Sequence, residues 1–427
     1  VPEIRAFGGL RYNPAKIPDP ADVVTPPYDV ISPAQRQEFL SRSPWNVVRL
    51  ILPEGNNPYE EANRTLQSWI RQEILIHDNE PAIYVYHQKF RIPDGTEKTR
   101  VGFLALIRLE DFDRGIVLPH EFTLSSPKED RLNLLRACKT NFSPIFGLYS
   151  DPEQRVESLL APYTSSKPDM FVVDGGGVTN SMWKIHEKQV TDPIRELMQP
   201  HWVLIADGHH RYESCLLYRD EMAKQNPDPN APFQFTLMFF TNIHHPGIAI
   251  LPYNRGVYQL PSFDPSAFLQ KADSYFKITE FRERKAAESA LKSEGSETTV
   301  FLARLRGMDS YFLLRLLPDV RLQDFYPDGT PVPVQRLDVN ILHRILIQHV
   351  LAISEEDVKR QTYLKYYKDA SEEWNDLESG KLQIAFFLNP TRVEQVVEVS
   401  RSGARMPQKS TFFYPKLMTG FVMNQHQ

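Results

Sequence analysis

The sequence predicts an α+β protein, or an α/β protein with mixed sheets, and three observations carry this. Short β-rich runs alternate with runs of helical period along the chain, the pattern of two element types packed in layers. Several β runs come in pairs across a tight turn, as antiparallel hairpins do. Proline is frequent, 34 of 427 residues, which suits fixed turns and strand ends better than long helical bundles.

Taken in order, Pro14, Pro18, Pro20, Pro26, Pro27 and Pro33 mark the first thirty residues as an extended, packed arm. Ala62, Leu66, Trp69 and Ile70 fall at helical spacing within residues 59–73. Residues 82–92 and 100–109 are predicted strands joined over Pro93-Asp94-Gly95. Residues 171–185 form a second hairpin, turning at Asp174 and Gly175 to Gly177. No Lys-Ser/Thr follows those glycines, so a turn is favoured over a phosphate cradle. A helix is expected over 129–138. The central unit is a short apolar strand at 201–206, the turn Asp207-Gly208-His209-His210, and a helix over 211–225 with Tyr212, Cys215, Leu216 and Met222 on one stripe. Residues 233–241 are another β run, 265–272 and 285–292 helices, and 298–305 with 310–317 a strand pair. An amphipathic helix over 338–351 carries Ile341, Leu342, Ile345 and His349 on one side. A helix at 371–380, a strand at 382–388 and a helix at 391–401 complete the pattern.

Hydrophobic residues at 41%, charged residues at 24% and a net charge of -5 describe a globular protein without the basic surface of a nucleic-acid or anionic-membrane binder. The longest apolar stretches, such as 384–388 and 202–206, are far shorter than a membrane span. The cysteines, Cys138 and Cys215, make neither a disulfide framework nor a Cys-rich zinc site, and a reducing cytoplasm is the expected location.

Four segments could carry chemistry. In IADGHHRYE, residues 205–213, a strand feeds directly into a helix whose first N–H groups lack partners and favour an anion. Gly208 permits the turn and close approach of a ligand, and Arg211 can grip phosphate or carboxylate. His209 and His210 are adjacent, so their side chains diverge and one at most faces the ligand of Asp207. A polar turn capped by Asp207 is the alternative. The second segment is Pro119-His120-Glu121-Phe122-Thr123 with Lys128, Asp130 and Arg131 after it. There Glu121 could serve as general base or magnesium ligand, His120 as proton shuttle, and Lys128 or Arg131 as phosphate partner; a polar loop with ordinary ion pairs is the alternative. The third, near the C-terminus, offers Lys409, Ser410, Thr411 and Lys416 among aromatics, and matches no P-loop. The fourth, Thr25-Pro26-Pro27-Tyr28-Asp29-Val30, pins Tyr28 and Asp29 as a site wall or as a structural turn. The spacing of His120, Glu121, His209 and His210 matches no zinc signature, so magnesium arriving with a nucleotide is favoured over a protein-held zinc.

Together TPPYDVIS, LPHEFT with the downstream KEDRLNLLRACKTNFSPIFGLY, IADGHHRYE and MPQKSTFFYPKLMTGFV resemble the bacterial and archaeal family known as domain of unknown function 1015. The helix LDVNILH, residues 337–343, resembles it too, and the resemblance runs from about Pro2 to Asn424. In LPYNRGV, residues 251–257, the chain departs from the family, which would place Thr-His before Arg255. DGHHR is also similar to the signature of the ParB/sulfiredoxin-like fold, including free-serine kinases. That similarity implies a ParB/sulfiredoxin-like core with the DGHHR site in residues 1–290, and a C-terminal α+β subdomain in 291–427 that contributes the Lys-Ser-Thr segment. It further implies that Asp207, His209, His210 and Arg211 surround a nucleotide's phosphates and metal, with Glu121 activating the acceptor hydroxyl.

The expectation is therefore a nucleotide-dependent kinase for a small hydroxylated metabolite such as free serine. Its catalytic residues would be Glu121, Asp207, His209 and His210. ATP or ADP with Mg2+ would bind at Gly208, Arg211, Lys128, Arg131, Lys409, Ser410 and Thr411, the metal at Asp207, and the substrate at Tyr28, Asp29 and His120. No nucleic-acid or membrane partner is expected, and a homodimer stays open. The competing classes are a nucleotide-binding regulatory protein without transfer chemistry and a metal-dependent hydrolase or phosphatase.

Overall fold

In the computed structural model, which describes residues 1–123, 125–407 and 409–426, the strands expected from the sequence join others that it concealed. A nine-stranded sheet takes β1 (Ile4–Arg5), β2 (Ile83–Arg91), β3 (Glu97–Arg108), β4 (Val117–Leu118), β5 (Ile145–Tyr149), β6 (Met170–Val173), β7 (Thr179–Ile185), β8 (Val203–Asp207) and β9 (Phe235–Asn242). Its order is β4-β8-β5-β9-β3-β2-β7-β6, with β1 also paired to β3. The pairs β8–β4 and β9–β5 are parallel and the others antiparallel, so the sheet is mixed and the fold α+β. Both predicted hairpins form: β2 with β3, and β6 with β7, where Asp174 Oδ1 accepts from the amides of Gly176 (2.8 Å) and Val178 (3.0 Å).

Helices α1 (Ser125–Cys138), α2 (Lys188–Met198) and α3 (His209–Ala223) cover this sheet. Leu132 and Leu135, Ile194 and Met198, and Tyr212, Cys215 and Tyr218 pack with Ile145, Ile205 and Met238 in one apolar core. Each such side chain, fully buried, contributes about 2 kcal/mol by removal from water. The sequence pattern missed α2, because Pro193 stands inside it. It also missed β5, whose five residues are all buried and carry no alternation.

A second, antiparallel sheet has six strands: β10 (Asn254–Val257), β11 (Phe276–Phe281), β12 (Val300–Leu305), β13 (Tyr311–Leu316), β14 (Leu364–Tyr367) and β15 (Ile384–Leu388), in the order β11-β13-β12-β15-β10-β14. Leu302, Leu313, Ala385 and Phe387 face Ala287 and Leu291 of α4 (Arg284–Glu294) and Trp374 and Leu377 of α5 (Ala370–Glu378). The helix Pro265–Ala272 places Phe268 against Phe386, whose side chain takes the opposite face from its neighbours.

The chain divides into two compact units, Val1–Ala249 with Pro415–Gln427 and Ile250–Tyr414. The C-terminal segment returns to the first unit, a long-range pairing that no local pattern announces. The first residues are not wholly an extended arm, since β1 joins the main sheet and Leu10–Tyr12 pairs with Leu75–His77. The helix after Gly208 opens at His209, two residues earlier than expected. The predicted helix at 338–351 is α only over Asp338–Ile341 and continues as a π-helix over Leu342–Val350.

Among the described residues no helix is long and apolar enough to cross a membrane.

Candidate functional site

The site begins with an irregularity in β8. Ile205 pairs with Gly147 and Asp207 with Phe146, so the register shifts between them, and a bulge at this point re-aims the side chain at the strand end. Gly208 then turns with φ +94°, the left-handed region that glycine enters at least cost. A Cβ there would stand 3.0 Å from the Arg211 guanidinium, so a side chain at 208 would be both strained and crowded. Tyr212 N–H bonds Gly208 O at 3.0 Å, the first bond of α3, so the N–H groups of His209, His210 and Arg211 form the first turn of the helix.

Asp207 gathers two cations. Arg211 Nη2 donates to its Oδ2 at 2.6 Å, and Lys416 Nζ donates to Oδ1. Arg211 is steadied further by Pro144 O, which accepts from Nη1. Burial alone would raise the Asp207 carboxyl, but the fields of Lys416 and Arg211 outweigh it and hold the group well below the usual carboxylate range. Asp207 is therefore ionised, and its two oxygens are committed to orienting cations.

Behind this turn lie two imidazoles in edge-to-face contact. His120 is fully buried and donates from Nδ1 to Ile205 O at 2.7 Å. Its own backbone N–H donates to His209 Nε2 at 3.2 Å, which leaves the His209 proton on Nδ1. The rings meet edge to face at 4.6 Å. Burial pushes His120 down to about 4, against the opposing pull of the Ile205 bond, so it is neutral at ordinary pH. This arrangement makes His120 a support of His209. Glu121 follows it, half-buried.

Around the opening, His210 is half-buried and its pKa falls through burial, with Glu213 and Asp29 pulling the other way. Tyr28 is raised to about 12 by burial and by Asp29. The Arg131 guanidinium lies 4.0 Å over the Tyr28 ring, while Nη1 donates to Ile51 O at 2.8 Å and Nε to Asp130 Oδ2 at 2.8 Å. Lys128 meets Glu213 at 3.0 Å, and Thr123 Oγ1 donates to the same oxygen at 2.7 Å. Arg131 and Lys128 thus tie α1 to its neighbours, and of the expected phosphate cations it is Arg211 that stands at the turn. A cavity of about 50 Å³ lies between Tyr28, Arg131, Arg211 and Ser143. That volume holds a water or two and is far below the several hundred Å³ of a small-molecule pocket.

The first unit therefore brings together Tyr28, Asp29, His120, Lys128, Arg131, Asp207, Gly208, His209, His210 and Arg211 from segments far apart in sequence. Lys409, Ser410 and Thr411 belong to the other unit. There Lys409 has φ +59°, its carbonyl accepts from Arg255 Nη2 at 3.0 Å, and Ser410 is buried with Oγ donating to Pro407 O at 2.6 Å. The Ser410 hydroxyl is thus spent on its own turn. Lys416 was visible only as one more cation near the C-terminus; a lone Lys within the apolar run FFYPKLMTGF was the available signal. Arg100 and Glu213 escaped notice, the first because nothing distinguishes one Arg in a strand, the second because it reads as an ordinary helix carboxylate. Among the described residues, no group of three or more His, Cys, Asp or Glu side chains could hold a metal ion.

Comparison with known proteins places the chain as follows. None of the curated proteins matches it. Among solved structures it is similar to a conserved hypothetical protein from Pyrococcus furiosus, at 15% identity over 73% of this chain and 90% of that one, with a TM-score of 0.34. It is similar to a mutant free serine kinase in complex with ADP, at 12% identity over 76% and 92%, TM-score 0.37. It is also similar to SbnI with a C-terminal truncation from Staphylococcus aureus, at 10% identity over 75% and 86%, TM-score 0.35. Residues 4–340 match the family described as protein of unknown function (DUF1015), and the chain belongs to that family.

Proposed function

We propose that the protein is a nucleotide-dependent phosphotransferase, its core of the ParB/sulfiredoxin-like kind, acting on a small hydroxylated metabolite such as free serine. The observation that carries this reading is the pair of cations, Lys416 and Arg211, oriented by Asp207 at the start of a fifteen-residue helix that follows a left-handed glycine. Helix-start N–H groups and two fixed cations are suited to phosphate oxygens, and phosphoryl transfer asks for positioning and charge more than for covalent chemistry. In this reading the amides around Gly208 and His209 receive the terminal phosphates of ATP or ADP, and Arg211 and Lys416 neutralise the transferring group. Glu121 takes the acceptor's hydroxyl proton while the acceptor oxygen bonds to phosphorus and the bond to the leaving nucleotide breaks. Tyr28 and Asp29 line the acceptor side, with His210 beside them.

Magnesium fits Asp207 poorly, since both its oxygens accept from cations. No step is assigned through it. The test is to incubate the protein with ATP or ADP, magnesium and a panel of hydroxy-amino acids and polyols, following phosphorus by NMR. A phosphorylated acceptor is expected. Nucleotide that raises the melting temperature without transfer to any acceptor would replace the kinase with a nucleotide-responsive regulatory protein.

A further inference from the structure

Lys416 reaches Asp207 from residues 416–418, which belong to neither helix nor strand, so their backbone must be held by something other than a ladder. What holds it is a polar rung at the centre of the nine-stranded sheet. Asn180 of β7 is the register partner of Gln88 in β2, and Gln88 that of Arg100 in β3, so the three side chains emerge side by side on one face. Tyr86, two residues before Gln88, shares that face. All four are buried, none more than 1% exposed.

Arg100, Gln88 and Tyr86 each bond the C-terminal segment, and Asn180 holds Gln88 and Tyr86 in place. Arg100 Nη2 donates to Gln88 Oε1 and to Pro415 O (2.5 Å). Gln88 Nε2 donates to Asn180 Oδ1 at 2.9 Å and to Lys416 O at 3.0 Å. Tyr86 O–H donates to Asn180 Oδ1 at 2.6 Å and accepts from Met418 N–H at 3.3 Å. Three anchor points, at 415, 416 and 418, thus bracket the residue that meets Asp207. The Arg100 guanidinium is cushioned by Phe146 at 4.6 Å, and the field of Asp207 favours its charge. An apolar rung of similar volume would fill this position with no desolvation cost to offset, and buried charged groups are often replaceable without loss of stability. An apolar rung, however, has no donors for the carbonyls of Pro415 and Lys416.

We infer that Arg100, Gln88, Asn180 and Tyr86 are positioning residues for the anion site, a buried rung that fixes the 415–418 backbone so that Lys416 stands at Asp207. The inference rests on the phosphate reading of that site, and two readouts separate them. Thermal shift with inorganic phosphate reports the anion site; amide hydrogen exchange at Met418 reports the anchor. In Gln88→Met, which keeps the chain's volume but loses both amide atoms, Met418 exchange is expected to quicken about tenfold and phosphate to bind about tenfold more weakly. Lys416→Met should lose the phosphate response with Met418 protection intact. Tyr86→Phe, a milder change, should move exchange in the same direction if Gln88→Met does not fold. Wild-type exchange and phosphate response in Gln88→Met, or in Tyr86→Phe where that variant must stand in, would overturn the inference. A wild-type protein indifferent to phosphate overturns the phosphate reading, and with it the assignment of the rung to an anion site, while the exchange data still decide whether the rung holds the segment.

Discussion

His120 shows how a single residue couples this site to pH. In the fold it is neutral, its pKa pressed by burial from 6.5 to about 4. Between those values the unfolded chain binds a proton that the folded chain does not, so stability rises with pH. The contribution is complete above about pH 6.5 and is lost as pH falls toward 4. Urea unfolding should therefore show a lower midpoint at pH 5 than at pH 7. In His120→Asn the side-chain amide can still donate to Ile205 O, but nothing titrates, and the pH dependence should flatten. An unchanged slope in that variant would remove His120 from the account. His87 and His426, also pushed down to about 4 by burial, contribute to the residual slope with His201, His210, His245 and His343, which burial lowers too.

Among the elements, the π-helix Leu342–Val350 is the least expected. Hydrophobic spacing reads the same for α and π geometry over two turns, which is why the sequence predicts a helix there and not its type. His343, on its first turn, accepts from Arg255 Nε at 2.9 Å, and the same guanidinium donates to Lys409 O at 3.0 Å and to Tyr253 O. Three segments singled out in the sequence, LPYNRGV, LDVNILH and MPQKSTFF, thus meet at one buried arginine within the second unit. Local spacing could not show this, because the three lie far apart along the chain. Arg255→Met should remove the guanidinium bonds to the His343 ring nitrogen and the Lys409 carbonyl and cost about 3 kcal/mol, measured by denaturant unfolding of the full chain. A loss within a few tenths of a kcal/mol would show that the guanidinium is dispensable.

For the molecule as a whole, the return of residues 415–427 to the first unit is the decisive feature. Leu10 and Met423 exchange backbone bonds at 2.9 and 2.8 Å, Thr25 and Thr419 at 3.2 and 2.7 Å, and Asn424–Gln425 pairs with Thr140–Asn141. Leu417, Met418, Phe421, Val422 and Met423 are all buried. A chain ending at Tyr414 loses Lys416 and uncovers that core, and it should be recovered as aggregate or with a markedly lower melting temperature by circular dichroism. Wild-type melting of the truncated chain would show that the segment is an appendage. By itself the sequence determined both hairpins and the strand, glycine turn and helix around Asp207, because period, turn chemistry and helix-end electrostatics are local. Tertiary structure alone decided that Lys416 is the second cation on Asp207 and that an Arg-Gln-Asn rung crosses the main sheet. Those facts depend on which distant segments bury against one another, and burial across hundreds of residues leaves no periodic trace.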